Sequence, residues 1–234
     1  MKTNTVDHSQ NRSAKVAGFT FLFYIAISFI SMNIYSQVTS GTGGVAAKLA
    51  SIAQHMPLMR WTAFISLLIF FLAVVLAIAL YTLTRNQNPF VALLALCCRV
   101  AEAMIIAFSV VWTLGLLSVA TASTVKVVPD SAAVQALGGF LLRLDGSSTL
   151  VSSIFFAVGS SLYSYLFLRA RSIPVLLAWF GIFASILLVV VLPLQLLGFH
   201  SEAVGIIIWL PMLVFEVILA LWLIFKGVTA PATP

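Results

Sequence analysis

The chain has 234 residues, 62% of them apolar and 8% charged, with twelve Lys and Arg against six Asp and Glu and a pI near 9.7. A water-facing domain carries about 25% charged residues, so this chain has too little charge to coat a soluble surface of its size. That excludes an ordinary soluble enzyme and a disordered chain. The bases lie scattered between long apolar runs instead of clustering, which excludes a nucleic-acid partner.

In chain order, six apolar runs have the length of membrane helices, since about 20 residues cross a hydrocarbon layer of about 30 Å. They cover residues 16–35, 61–83, 91–119, 150–168, 174–197 and 203–225. Strands with unpaired edges cannot exist in lipid, so runs of this length predict helices. The first run exceeds the apolar core of a signal peptide, about 7–15 residues, and Ser31-Met32-Asn33-Ile34-Tyr35 lacks an A-x-A-like site. It reads as a permanent span.

After it, Gly41-Thr42-Gly43-Gly44 is a flexible breaker. Residues 45–56 then place Lys48, Ser51, Gln54 and His55 on one face, which predicts a short helix lying in the membrane interface. Trp61, Trp179 and Trp222 stand near span ends and suit interface anchors. In the connection 120–149, Pro129-Asp130-Ser131 signals a turn in which Asp130 or Ser131 caps a short helix to about Leu144, with Gly138-Gly139 weakening its middle. In the fourth span Ser153, Ala157, Ser160, Ser161 and Ser164 form a row of small residues, read as close helix packing.

Seven bases share one side of this topology: Lys2, Arg12, Lys15, Arg85, Arg169, Arg171 and Lys226. The other side holds Lys48, Arg60, Lys126 and Arg143, diluted by Asp130, Asp145 and Glu202. The bias in Lys and Arg makes the seven-base side cytoplasmic, with both termini inside, as an even number of spans requires. No connection is long enough for a soluble domain. The sequence therefore predicts an all-α polytopic membrane protein, a single membrane domain over residues 1–234 built as a bundle of six transmembrane helices.

Recognisable catalytic chemistry is missing. There is no G-x-S-x-G, no H-E-x-x-H and no phosphate-cradling glycine loop. Adjacent Cys97 and Cys98 cannot form an unstrained disulfide and read as inert packing residues. His8, His55 and His200 lie far apart, so no metal site and no cofactor is expected. No base accompanies the serines of the fourth span.

Composition leaves three residues unexplained: Arg99 and Glu102 in the third span and Glu216 in the sixth. A charge near the bilayer centre costs at least ~2.5–3.5 kcal/mol, so such a group faces the bundle interior and finds a partner. At 1.5 Å per residue, Arg99 lies ~13 Å from the inner boundary and Glu216 ~15 Å from the same side. Arg99 and Glu102 share a helix face at i, i+3. One guanidinium and two carboxylates leave a net negative charge, to be completed by a proton, a cation or another donor. Pro211 lies five residues before Glu216 and removes a backbone bond to the Ile207 carbonyl, which predicts a helix kink there. The preferred reading is a staple between the third and sixth spans; the alternative is a proton-, cation- or solute-binding centre.

Several motifs carry a family resemblance: Ala14-Lys15-Val16-Ala17-Gly18 with Leu22-Phe23-Tyr24-Ile25, then Ala79-Leu80-Tyr81-Thr82-Leu83, and Arg99-Val100-Ala101-Glu102-Ala103. Leu166-Phe167-Leu168-Arg169 with Ile173-Pro174 follow, and Pro211 and Glu216 run into Leu221-Trp222-Leu223-Ile224-Phe225-Lys226-Gly227-Val228. On these the chain resembles the bacterial domain-of-unknown-function family 4386, six-helix membrane proteins of about this length. Members of that family usually carry Arg where this chain has Val175. The resemblance implies architecture and a bacterial cytoplasmic membrane location, with no mechanism. It also places Arg99, Glu102 and Glu216 among the family's pattern residues.

Three functions compete. A non-catalytic membrane component with a structural polar cluster ranks first, a small transporter or binding module second, and an intramembrane enzyme last. The expected partner is the lipid bilayer. A transport role would add a homo-oligomer or another membrane partner, because six spans are few for a monomeric transporter.

Overall fold

The computed structural model describes the backbone of residues 3–40, 43–124, 131–199, 205 and 207–228, and the side chains of these from residue 10 on, except 123, 124 and 131. His200, Lys126, Asp130 and Glu202, the capping turn at Pro129-Asp130 and the His8 side chain lie outside the described residues. Among the described residues every regular element is a helix: α1 (Thr3–Thr39), α2 (Gly44–Gln54), α3 (Met56–Thr84), α4 (Pro89–Thr124), α5 (Ser131–Ala170), α6 (Val175–Leu196) and α7 (Trp209–Phe225).

Five stretches are long and apolar enough to cross a membrane: Gln10–Thr39, Met56–Thr84, Pro89–Ala122, Ala132–Ala170 and Val175–Leu196. Within the most apolar part of each, only 28–44% is buried, so most of these side chains face outward. Phe19, Phe64, Phe71, Phe90 and Phe183 are each more than half exposed. Apolar surface on this scale is not stable against water. The chain is a membrane protein. α7 is equally apolar in sequence but has 17 residues, or ~25 Å at 1.5 Å per residue.

The helix ends follow from local chemistry. Asn88 accepts the Val91 N–H on Oδ1 at 3.2 Å, and Pro89 takes the first position of α4, where its missing N–H is harmless. Pro174 serves in the same way as the N-cap of α6. Pro211 occupies the third position of α7, within the first turn, where backbone N–H groups have no intrahelical partner. Ile208, which precedes α7, keeps helical dihedrals at φ −64° and ψ −22°.

One expectation is corrected. The short helix before Leu144 and the span beginning at Leu150 form one continuous helix, α5, of 40 residues. From the sequence, the short helix is expected to end near Leu144, with Gly138-Gly139 weakening its middle, and the span to start at Leu150. Each glycine weakens a helix by only ~1 kcal/mol, and no proline in α5 blocks the hydrogen-bond ladder. Gly138 instead admits Leu49 of α2, which a Cβ there would meet at 2.8 Å.

Contacts divide the chain into two compact units. The first comprises Met1–Tyr24, Leu72–Glu102 and Ser152–Pro234. In it α6 packs on α7 through Gly181, where a Cβ would lie 2.4 Å from the Phe215 ring and 2.7 Å from Ser164 Oγ. Tyr163 of α5 donates to the Ala77 carbonyl of α3 at 3.1 Å. These contacts join α3 to α5 and α6 to α5 and α7, and Ala77, Leu188, Leu219 and Leu223 on these helices are buried.

The second unit comprises Ile25–Phe71 and Ala103–Val151. Its core joins Val38, Leu49, Ile52, Met59, Leu116, Leu117 and Ala120. α2 buries Leu49 and Ile52 and leaves Gln54 and the capping His55 exposed, whereas Lys48 and Ser51 of the expected polar face are half-buried and Ala50 is exposed. The Tyr35 hydroxyl faces the Asp145 carboxylate. Asp145, expected in an exposed connection, is half-buried on α5.

A paired substitution checks this packing. Gly181→Val is expected to lower stability by about 1–3 kcal/mol through overpacking against Phe215. Gly146→Ala, which meets nothing within 4 Å, is expected to raise it by up to ~1 kcal/mol. Thermal melting of both variants in detergent reads the contrast.

Candidate functional site

The three charged residues that composition left unexplained all lie in the first unit and all are buried: Arg99 is 1%, Glu102 2% and Glu216 6% exposed. Arg99 and Glu102 stand one turn apart on α4, as their spacing predicts, and Arg99 Nη1 lies 2.8 Å from Glu102 Oε2. Neither atom is in a well-aligned hydrogen bond, so the contact joins charge to charge without aiming an N–H at the oxygen. Among the described residues, the Arg99 Nε and Nη2 groups also lack hydrogen-bond acceptors.

Three neighbours that the sequence reading did not single out complete the surroundings of this pair. The Tyr24 hydroxyl of α1 donates to Glu102 Oε1 at 2.9 Å. The Arg99 guanidinium carbon sits 4.7 Å from the centre of the Phe156 ring on α5, close enough for a cation–π contact, and 5.9 Å from the Tyr24 ring. Ser152 donates to the Glu102 main-chain carbonyl at 3.3 Å. The aliphatic stem of Arg99 passes over Gly159, where a Cβ would come within 3.1 Å of its Cγ and Cδ. An i, i+3 ion pair ties a helix only to itself. The links to other helices are therefore Tyr24 from α1 and Ser152 and Phe156 from α5. Tyr24 had a signal in the sequence: a tyrosine in the middle of an apolar run needs a partner for its hydroxyl.

Glu216 makes no ion pair with Arg99, and its Oε1 has no hydrogen-bond partner among the described residues. Glu216 and Arg99 line one small cavity together with Ser160, Tyr163, Ser164 and Phe215. The cavity offers about 10 Å³ to the centre of a water-sized sphere, the space of about one water molecule. The serine row is thus divided. Ala157 and Ser164 are fully buried, whereas Ser161 returns its hydroxyl to the Ala157 carbonyl at 2.9 Å.

Glu216 lines the same cavity as Ser160 and Ser164. Among the described residues, no three His, Cys, Asp or Glu side chains converge as metal ligands. Cys97 and Cys98 are free thiols, and Cys97 is exposed and so is not a core packing residue. His55 is exposed and bonds the Ser51 carbonyl at 2.9 Å.

Tyr24→Phe removes one hydroxyl and leaves the ring. It is expected to lower stability by about 1.5–3 kcal/mol, the scale of a hydrogen bond to a charged group. Ser161→Ala, which loses only a bond within its own helix, is expected to change stability by less than about 0.5 kcal/mol. Unfolding in detergent measures both.

No curated protein and no solved structure matches the chain. The family described as Domain of unknown function (DUF4386) matches residues 16–227, a range that includes Tyr24, Arg99, Glu102, Ser152, Phe156 and Glu216. The chain belongs to this family.

Proposed function

We propose that this protein is a non-catalytic component of the bacterial cytoplasmic membrane, in which the buried polar cluster is a structural clasp. In this reading the chain spans the membrane six times as a single domain, with α7 as the last span, α2 in the outer interface and both termini in the cytoplasm. The lipid bilayer is its first partner, and the clasp itself requires no second copy.

The observation that carries the reading is the enclosure of Arg99. Glu102, Tyr24 and Phe156 surround it, and the space beside it is about 10 Å³. Sites for small organic ligands occupy about 300–1,000 Å³. A solute carrier or an intramembrane hydrolase acting through Ser160, Ser164 and Glu216 needs room that this cavity does not have. A single water fits: it can accept from an Arg99 N–H and donate to Glu216 Oε1, joining two side chains that make no direct ion pair.

One observation favours a second reading, a proton- or small-cation-binding module. Glu216 keeps an oxygen free inside the bundle, where a carboxylate without a partner is expensive. The guanidinium on the same cavity repels a metal cation, which leaves the proton as the stronger form of this alternative.

Glu216→Gln separates the two. The clasp predicts a folded protein with lower thermal stability and the same dependence of melting temperature on pH as the parent. A variant that melts at the parental temperature but loses a pH-dependent transition would establish the proton-binding role instead.

A further inference from the structure

Within the first unit, residues 11–23 of α1 present two unlike faces. Ala14, Ala17 and Phe21 are buried, at 0%, 0% and 4% exposure, and hold the helix to its neighbours. On the other side Arg12 and Lys15 are exposed, followed by Val16, Phe19 and Phe23 at 42%, 53% and 59%. Asn11, Arg12, Lys15, Val16, Phe19 and Thr20, all on α1, border a shallow, open depression of about 540 Å³ along this one helix. Its back is fixed by Asn11, which lies against Gly227: with φ at +70°, a Cβ there would fall 2.5 Å from Asn11 Oδ1.

Along the helix axis the chemistry changes once. Two cations sit at the end, and at 1.5 Å per residue Phe19 lies ~10 Å and Phe23 ~16 Å beyond Arg12. Among the described residues, no carboxylate ion-pairs with Arg12 or Lys15. A helix face whose two bases make no ion pair among the described residues, with a strip of apolar side chains below, complements an amphiphile with an anionic head and acyl chains. It does not complement a water-soluble anion, which would leave the apolar strip unused. It does not suit a zwitterionic lipid either, whose ammonium group the bases repel.

We propose that this face of α1 is a binding site for one anionic glycerophospholipid, with its phosphate held by Arg12 and Lys15 and an acyl chain laid along Val16, Phe19 and Phe23. The assignment rests on the membrane nature of the chain and is independent of the role of the Arg99 cluster. The site lies on the side whose bases mark it as cytoplasmic, where anionic headgroups attract Lys and Arg.

The test uses the full chain purified in a neutral detergent, with phosphatidylglycerol and phosphatidylcholine of identical acyl chains titrated separately and binding read by native mass spectrometry. Phosphatidylglycerol is expected to bind preferentially. Arg12→Gln/Lys15→Gln is expected to weaken its apparent affinity by on the order of tenfold or more, at roughly tenfold per 1.4 kcal/mol. Arg85→Gln/Arg169→Gln changes the charge equally at two other exposed bases and is expected to leave the affinity unchanged. Glycerol 3-phosphate, which has the phosphate and no chains, is expected to bind at least tenfold more weakly than the lipid.

Equal binding of the two lipids would overturn the proposal. So would equal losses in the two double variants, which would reduce the effect to general charge attraction. Equal binding of glycerol 3-phosphate would make this face a site for free phosphate and would also overturn it. All four substituted positions are exposed, and unchanged melting temperatures without lipid confirm that the variants fold.

Discussion

A guanidinium that is 1% exposed inside an apolar helical protein sets the strongest constraint on this structure. Leaving it unpaired would cost several kcal/mol, more than a marginally stable fold can lose. Glu102, one turn away at 2.8 Å, brings the local charge to zero without involving another helix. The rest of the arrangement follows from keeping that pair dry. Tyr24 takes one carboxylate oxygen from α1, the Phe156 ring covers the cation from α5, and Gly159 lets the Arg99 stem lie flat. The pair thereby recruits two further helices, although it is itself confined to one.

Glu216 belongs to the same unit but is bound differently. Buried polar groups in proteins almost always find a partner, and an orphaned oxygen facing a one-water cavity with a cation on its wall is the arrangement that a bridging water completes. That bridge would make α7 the element held least firmly by the cluster. It also accounts for the burial of all three charges without a direct ion pair between Arg99 and Glu216.

Much of this was legible in the sequence, because it depends on local spacing. The helical class, the apolar runs and the shared face of Arg99 and Glu102 all follow from periodicity and the helical rise. What escaped involved long-range pairing or tolerance. Tyr24 and Glu102 are separated by 78 positions, and nothing local marks them as partners. Phe156 and Ser152 read as ordinary packing residues of an apolar run. The unbroken α5 escaped because the apolar run begins only at Leu150, whereas the helix continues through the polar residues before it, where no proline blocks the hydrogen-bond ladder. Asp145 was counted as a loop charge for the same reason; with α5 continuous, it is half-buried and faces Tyr35.

A double-mutant cycle between Arg99 and Glu102 tests the clasp most directly, with unfolding free energies measured in detergent for Arg99→Met, Glu102→Gln and the pair. Each single change strands a buried charge or its partners, so Arg99→Met is predicted to lose about 3–5 kcal/mol, and the double variant much less than the sum of the singles. Losses that add to within about 0.5 kcal/mol would mean that the two side chains do not act as a unit, and would contradict the account.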